Sequence, residues 1–207
     1  MPSKSMFSHD FKLFNHSCFA IEWKKGLKGL TYVFVLLTFY FLMDCFLAQS
    51  FLQPRVVERH FLNLRKKYGN VLAVDLVNKH GGEGRLSENF SSLMQHVVSD
   101  DVRYLHFDFH HICGHVHFER LSMLYDQIEN FLVKNRYLLL NEKSEKVEEQ
   151  LGVVGTNCID CLNRTNVTQS MLGQKMLEFQ LGRIGIFDAE ESISTNPNFD
   201  DNFKICE

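Results

Sequence analysis

Apolar and polar residues change their period several times between Pro54 and Gly182, and each change marks an element. Val56, Val57, Phe61, Leu64 and Tyr68 recur at helical intervals behind Pro54, whose fixed φ suits a first turn, and Gly69 stops the run. A helix is expected over Arg55 to Tyr68. The β-branched run Val71 to Val77, between Asn70 and the Gly81-Gly82-Glu83-Gly84 loop, predicts a buried strand. Ser87 is expected to open a second helix with Phe90, Leu93, Met94 and Val97 inward. From Arg103 to Phe109 the period drops to two, with Tyr104, His106 and Asp108 alternating with Leu105, Phe107 and Phe109, which predicts a strand. Val116 to Lys134 returns to helical spacing through Phe118, Leu121, Leu124, Tyr125, Ile128 and Phe131. Tyr137 to Leu140 reads as a strand, Asn141 to Ser144 as a turn, Glu145 to Gln150 as a solvated connection and Leu151 to Val154 as a strand. A last helix, capped by Thr165 or Asn166, turns Val167, Met171, Met176, Leu177 and Leu181 inward, and its pattern lapses after Gly182. Strands interleaved with helices predict an α/β fold, a mixed central sheet flanked by helices.

Ahead of Pro54 the pattern is less regular. Phe7, Phe11, Phe14, Phe19 and Trp23 recur near helical spacing, Lys24, Lys25 and Lys28 follow, and Leu30 to Leu52 is an apolar run interrupted by Asp44. The uninterrupted part, Leu30 to Met43, is too short to span a bilayer. The whole run is long enough, but a carboxylate near the bilayer centre costs about 2.5–3.5 kcal/mol. The pattern leaves open a membrane span and a buried helix or strand pair. In a span, the lysines would hold the N-terminus in the cytosol, with Arg55 and Arg59 on the other side opposing that orientation. The apolar part starts too late for a cleavable signal peptide.

With 207 residues, 45% hydrophobic and 13% aromatic, the chain can bury a sizeable core as one domain with an extension. A formal charge of −3 gives no global attraction to nucleic acid or anionic lipid, so any lipid contact must come from local basic patches. Six cysteines without regular spacing argue for a reducing compartment over a disulfide framework.

The chemistry concentrates between the Leu151–Val154 strand and the last helix. There Cys158 and Arg164 stand with five residues between them in Cys158-Ile159-Asp160-Cys161-Leu162-Asn163-Arg164-Thr165. If Cys158 to Arg164 curl into one turn, the inward backbone N–H groups of Ile159, Cys161, Leu162 and Asn163 make a concave anion site, to which the following helix adds its positive end. Phosphate fits such a cradle, with the Cys158 sulfur beneath phosphorus as nucleophile and the planar Arg164 guanidinium holding two phosphate oxygens. A free thiol with a pKa near ~8.5 is only a few per cent thiolate at neutral pH. Lowering that value by ~3 units needs roughly 4 kcal/mol. Amide dipoles, the helix end, the guanidinium and a hydrogen bond from the Thr165 hydroxyl are the groups available to supply it. Cys158 and Cys161 also form a CxxC pair, which reads alternatively as a redox pair or half a zinc site, but no second pair of that spacing occurs.

Cys-x5-Arg alone is a weak signal. The longer string Asn157-Cys158-x-Asp160-Cys161-Leu162-x-Arg164-Thr165-Asn166 resembles the signature of the plant-type Sac domain, the phosphoinositide phosphatase family related to suppressor of actin. The resemblance implies hydrolysis of inositol-ring monophosphates, such as that of phosphatidylinositol 4-phosphate, through a phosphocysteine intermediate and without a metal or other cofactor. It assigns Cys158 as nucleophile, Arg164 as phosphate binder and Asp160 to proton transfer. It implies a phosphoinositide lipid in a membrane surface as partner, no nucleic acid, and the cytosolic face of the endoplasmic reticulum or Golgi, with the 30–52 run as an anchor if it inserts. Two positions depart from the family pattern: Asn163 stands where Asp is usual, and Gly155 where Arg or a similar residue is usual. An Asn keeps hydrogen bonds but cannot donate a catalytic proton, so the alternative reading is a catalytically impaired lipid-binding or regulatory fragment. The resemblance begins at Pro54, so residues 1–53 are expected to be a non-matching extension and 54–207 a partial Sac catalytic domain truncated at its C-terminus.

His106, His110, His111, His115 and His117 crowd around a Phe-Asp-Phe-His-His segment that resembles what Sac domains carry beside the active site. They read as packing and loop residues more than as metal ligands, with Asp108 and His110 nearest in kind to proton transfer. The cations Lys79, His80 and Arg85 follow the Val71–Val77 strand and read either as support for an inositol phosphate or, more simply, as part of a solvated loop.

Overall fold

The computed structural model describes residues 10–14, 18–23, 31–38, 54–141, 143–158, 164–183, 185–188 and 191–195. Its centre is three parallel strands: β4 (Asn70–Asp75) lies between β8 (Gly152–Asn157) and β5 (Val102–His106). Every residue of β8 is buried, which parallel strands achieve only when helices cover both faces. The period of two then sorts β4 between two cores. Val71 and Ala73 face α1 (Pro54–Tyr68) and α2 (Gly84–Met94), among Val57, Phe61, Leu86, Phe90, Met94 and Val153. Leu72 and Val74 face α4 (Ser122–Asn135) and α5 (Asn166–Arg183), among Leu124, Ile128, Leu132, Val154, Leu172 and Met176.

The sheet extends beyond β8. β3 (Thr31–Thr38) pairs parallel with β8 along Leu36–Thr38 and antiparallel with β6 (Leu138–Leu140) along Thr31–Val33. β2 (Cys18–Trp23) and β1 (Asp10–Phe14) continue antiparallel from β3. The order β1-β2-β3-β8-β4-β5 leaves β5 at one edge among the described residues. The α/β class and mixed, helix-flanked sheet expected from the pattern are present.

Several boundaries differ from those read off the sequence. The near-helical spacing between Phe7 and Trp23 is strand where described, and Thr31–Thr38 of the long apolar run is a sheet strand. The rest of that run lies outside the described residues; among them, no helix is long and apolar enough to cross a membrane. α2 begins at Gly84 rather than Ser87, because a 3-10 turn, Gly81–Glu83, leads straight into it. Gly84 is needed there: a Cβ would strike the Lys79 carbonyl. β5 stops at His106 and Phe109 opens a short helix, α3 (Phe109–Cys113), so the alternation overruns its strand because Phe107 and Phe109 enter the same core. The helix expected from Val116 is a 3-10 turn, Phe118–Leu121, and then α4; Val116 itself is exposed. Glu145 to Gln150 contains β7 (Lys146–Glu148), paired with β6. Its residues are largely solvated, so no apolar alternation betrays it. β8 runs three residues further than expected and ends against Cys158.

Gly69 ends α1 with φ of +81°, and a Cβ there would collide with the Leu151 carbonyl that receives the Asn70 N–H. This close approach fixes the entry of β4 beside β8.

Candidate active site

β8 carries the chain into Cys158, and α5 begins at Asn166, so strand and helix bracket the Cys158–Arg164 segment. Cys158 is 1% exposed and its Sγ lies 3.0 Å from Thr165 Oγ1, with Thr165 fully buried. The sulfur thus sits against a hydroxyl next to the N-terminus of an 18-residue helix, where a negative charge is favoured. Gln169 Nε2 donates to Thr156 Oγ1 at 3.1 Å, tying the first turns of α5 to the end of β8.

Arg164 meets a carboxylate. Its two terminal nitrogens donate to Glu83 at 2.8 and 2.9 Å, and one also approaches the Leu76 carbonyl at 3.4 Å. Glu83 in turn accepts the Asn78 N–H at 3.1 Å, so the β4–α2 loop holds the guanidinium by a paired contact. The hydrogen bonds from Arg164 keep the Glu83 carboxyl below its usual pKa, against partial burial, with the nearby charge of His110 a smaller contribution.

Asp75, at the end of β4, is fully buried. Oδ1 accepts from Val77 N at 3.1 Å and from Asn157 Nδ2 at 2.9 Å, while Oδ2 accepts from Ser87 Oγ at 3.2 Å and Tyr104 Oη at 3.0 Å. One carboxyl therefore joins the residue before Cys158, helix α2 and edge strand β5. Burial pushes its pKa up, while the donated hydrogen bonds and His106 pull the other way.

Of the supporting residues, Asp108 caps α3 by accepting His111 N at 3.1 Å and also accepts Lys79 N at 3.2 Å. Partial burial raises its pKa, but these backbone bonds outweigh that and hold it below the usual carboxylate value. Such a group is an acceptor at neutral pH, suited to fixing the loop rather than to donating a proton. Lys79 and His110 are exposed, and the His110 ring packs on His115 at 4.8 Å. His106 donates from Nε2 to the Val77 carbonyl at 2.8 Å. Among the described residues, no three His, Cys, Asp or Glu side chains converge as metal ligands. Ile159, Asp160, Cys161, Leu162 and Asn163 lie outside the described residues.

Lys79, Asp108 and His110 therefore gather beside the Arg164–Glu83 pair, whereas Glu83 and Asp75 were missed by the motif reading. Their signals were a lone carboxylate inside the apolar run Val71–Val77 and a Glu framed by glycines in Gly81-Gly82-Glu83-Gly84. Together the groups offer a hydrogen-bonded sulfur, a guanidinium, an exposed lysine and a helix N-terminus at the C-terminal ends of β4 and β8, a setting for an anionic ligand.

The SacI homology domain family matches residues 47–114. The chain is 73% identical over 151 residues to phosphoinositide phosphatase SAC6 of Arabidopsis thaliana, covering 73% of this chain and 26% of that protein. To phosphoinositide phosphatase SAC7 of the same plant it is 72% identical over 151 residues, 73% of this chain and 25% of that protein. Phosphatidylinositol-3-phosphatase SAC1 of Saccharomyces cerevisiae is 32% identical over 151 residues, 70% of this chain and 23% of that protein. The chain spans about a quarter of the length of these relatives.

Proposed function

Because this chain belongs to the Sac family, we propose that it is the nucleophile-bearing part of a phosphoinositide phosphatase that removes inositol-ring monophosphates, such as the 4-phosphate of phosphatidylinositol 4-phosphate. The observation that carries the reading is the buried Cys158 sulfur in hydrogen-bond contact with Thr165 at the start of α5, with Arg164 adjacent in sequence.

In this reaction the Cys158 thiolate attacks phosphorus, an S–P bond forms, and the bond from phosphorus to the ring oxygen breaks. The ring oxygen takes a proton from an acid, the role assigned to Asp160. Water then attacks the phosphocysteine, the S–P bond breaks, inorganic phosphate leaves and the thiolate is restored. Arg164 and the backbone amides from Ile159 to Asn163 bind the phosphoryl oxygens as charge develops on them. The lipid would be met at a membrane surface, on the cytosolic face of the endoplasmic reticulum or Golgi. The substrate's phosphate competes with Glu83 for Arg164, so binding includes an exchange of one anion for another.

The test is phosphate release from vesicles carrying single phosphoinositides, with Cys158→Ser beside the parent chain. Turnover that disappears in the variant, and radiolabelled phosphate trapped on the parent protein by acid quench, are expected. Release that persists in Cys158→Ser would falsify the assignment.

A further inference from the structure

Three described carboxylates border the strand ends that lead to Cys158, and they differ in what holds them. Asp75 is fully buried behind four donors. Asp108 is fixed by the backbone N–H groups of Lys79 and His111. Glu83 alone of the three is held by a side chain that must also bind phosphate. Both of its oxygens accept from Arg164, at 2.8 and 2.9 Å, and Oε2 has a second donor in the Asn78 N–H at 3.1 Å. A phosphate that takes the guanidinium therefore leaves Glu83 on a backbone amide, still at the site and with lone pairs open to a new partner.

The strand ends place that carboxylate beside the reacting atoms. Asp75 of β4 is level with Asn157 of β8, so Leu76 is level with Cys158. Leu76 donates its N–H to the Asn157 carbonyl at 2.9 Å, and its own carbonyl meets Arg164 Nη1 at 3.4 Å. The guanidinium thus lies one step beyond the β4–β8 pairing, where Cys158 enters the site. Depth orders the groups: Cys158 is 1% exposed, whereas the side chains of Arg164 and Glu83 are 18% and 23% exposed. A phosphoryl group on the sulfur and in the grip of Arg164 has the sulfur beneath it and Glu83 toward solvent. Water must arrive from the solvent side to displace the sulfur in line. The hydrogen bonds from Arg164 are the main cause of the lowered Glu83 pKa, so their loss to phosphate returns the carboxyl toward its ordinary value and strengthens it as a base.

We propose that Glu83 is the general base for hydrolysis of the phosphocysteine, freed for that task when the substrate's phosphate takes Arg164. This rests on the phosphatase reading and adds to it the group that activates water. Glu83 takes one proton from the water as the water oxygen bonds to phosphorus, the S–P bond breaks, and its electron pair returns to the Cys158 sulfur. The proton then passes from Glu83 to the departing phosphate, and the carboxylate closes again on Arg164. Asp160 keeps the proton transfer to the ring oxygen in the first step, so two carboxylates serve two steps.

Rapid-quench turnover of the full chain on vesicles carrying phosphatidylinositol 4-phosphate, radiolabelled in the 4-phosphate, compares the parent with Glu83→Gln and Glu83→Asp. In Glu83→Gln the first release of dephosphorylated lipid is expected within about threefold of the parent rate, while steady-state turnover falls about a hundredfold or more. Label trapped on the protein should accordingly rise toward about one phosphate per active chain. The amplitude of the first turnover counts the folded molecules, so lost stability does not mimic this split. Glu83→Asp keeps a carboxylate on the same loop and is expected to recover turnover at least about tenfold over Glu83→Gln. First-step and steady-state rates that fall together, with no accumulated label, would make Glu83 a positioning residue for Arg164 and overturn the proposal. So would Glu83→Gln turning over like the parent, or Glu83→Asp no faster than Glu83→Gln. If the parent itself releases no phosphate and traps no label, the phosphatase reading fails, and the base with it.

Discussion

Replacing Asp75 gives different outcomes depending on which of its properties is kept. Asp75→Ala removes the acceptor of four donors in a fully buried position. Ser87 and Tyr104 line an open cleft between α2 and β5 and their hydroxyls can rotate toward it, but the Asn157 amide and the Val77 N–H stay buried. At about 1–3 kcal/mol for each buried donor left unsatisfied, the expected loss is about 3–5 kcal/mol. At about 2–4 °C per kcal/mol for a chain of this size, the melting temperature should drop by about 10 °C or more. Asp75→Asn behaves differently. Its remaining oxygen can take the place of Oδ1 and accept from the two rigid N–H donors. Its new NH2 then faces the Ser87 and Tyr104 hydroxyls, which can rotate to accept. The cost should stay within about 1 kcal/mol, and phosphatase turnover should survive. The exchange also removes a pH dependence. Burial raises the folded-state pKa of Asp75, so the folded chain holds the proton longer than the unfolded one. This group's contribution to stability therefore falls as pH rises from the unfolded value near 3.8 through the folded one, and the amide has no such fall. Thermal melts across pH, paired with turnover, measure both. The reasoning is refuted if Asp75→Asn melts as low as Asp75→Ala, or if Asp75→Ala melts with the parent.

Two further predictions concern the sulfur and the guanidinium. Thr165→Ala removes the hydroxyl 3.0 Å from the Cys158 sulfur; at about 1.4 kcal/mol, the pH midpoint of iodoacetamide alkylation should rise by about one unit and kcat should fall about tenfold, and an unmoved midpoint would dismiss the hydroxyl's role. Glu83→Gln weakens the paired hold on Arg164, at a cost of about 1–2 kcal/mol after allowing for partial exposure. Because Arg164 depresses the Glu83 pKa, the parent has this stability above the unfolded value near 4.5 and loses it as pH falls through the lower folded value. The gap between parent and variant in denaturant melts should therefore narrow steadily as pH falls below 4.5; a gap that stays constant on acidification contradicts the ion-pair account.

The chain's local order was legible without coordinates. Val71–Val77 announced a buried strand, Gly69 a helix end, and Cys158, Arg164 and Thr165 a reactive segment between strand and helix, because neighbouring residues and short periods report local geometry directly. Thr165 could be matched to the Cys158 sulfur for the same reason: only seven positions separate them. Periodicity failed where burial did not follow it. β7 carries no apolar face, and Phe109 kept a strand-like rhythm into a helix because the core, not the strand, was what Phe107 and Phe109 shared. Asp75 and Glu83 escaped for a different reason. Asp75 meets Asn157 across 82 positions and Tyr104 across 29, and Glu83 meets Arg164 across 81. Those contacts depend on β4 lying between β8 and β5 with its C-terminal end level with theirs, an arrangement no local pattern specifies. The residues proposed to react were written in one short string of sequence, but the carboxylates that meet its two ends, Asp75 through Asn157 and Glu83 through Arg164, were placed there by strand order.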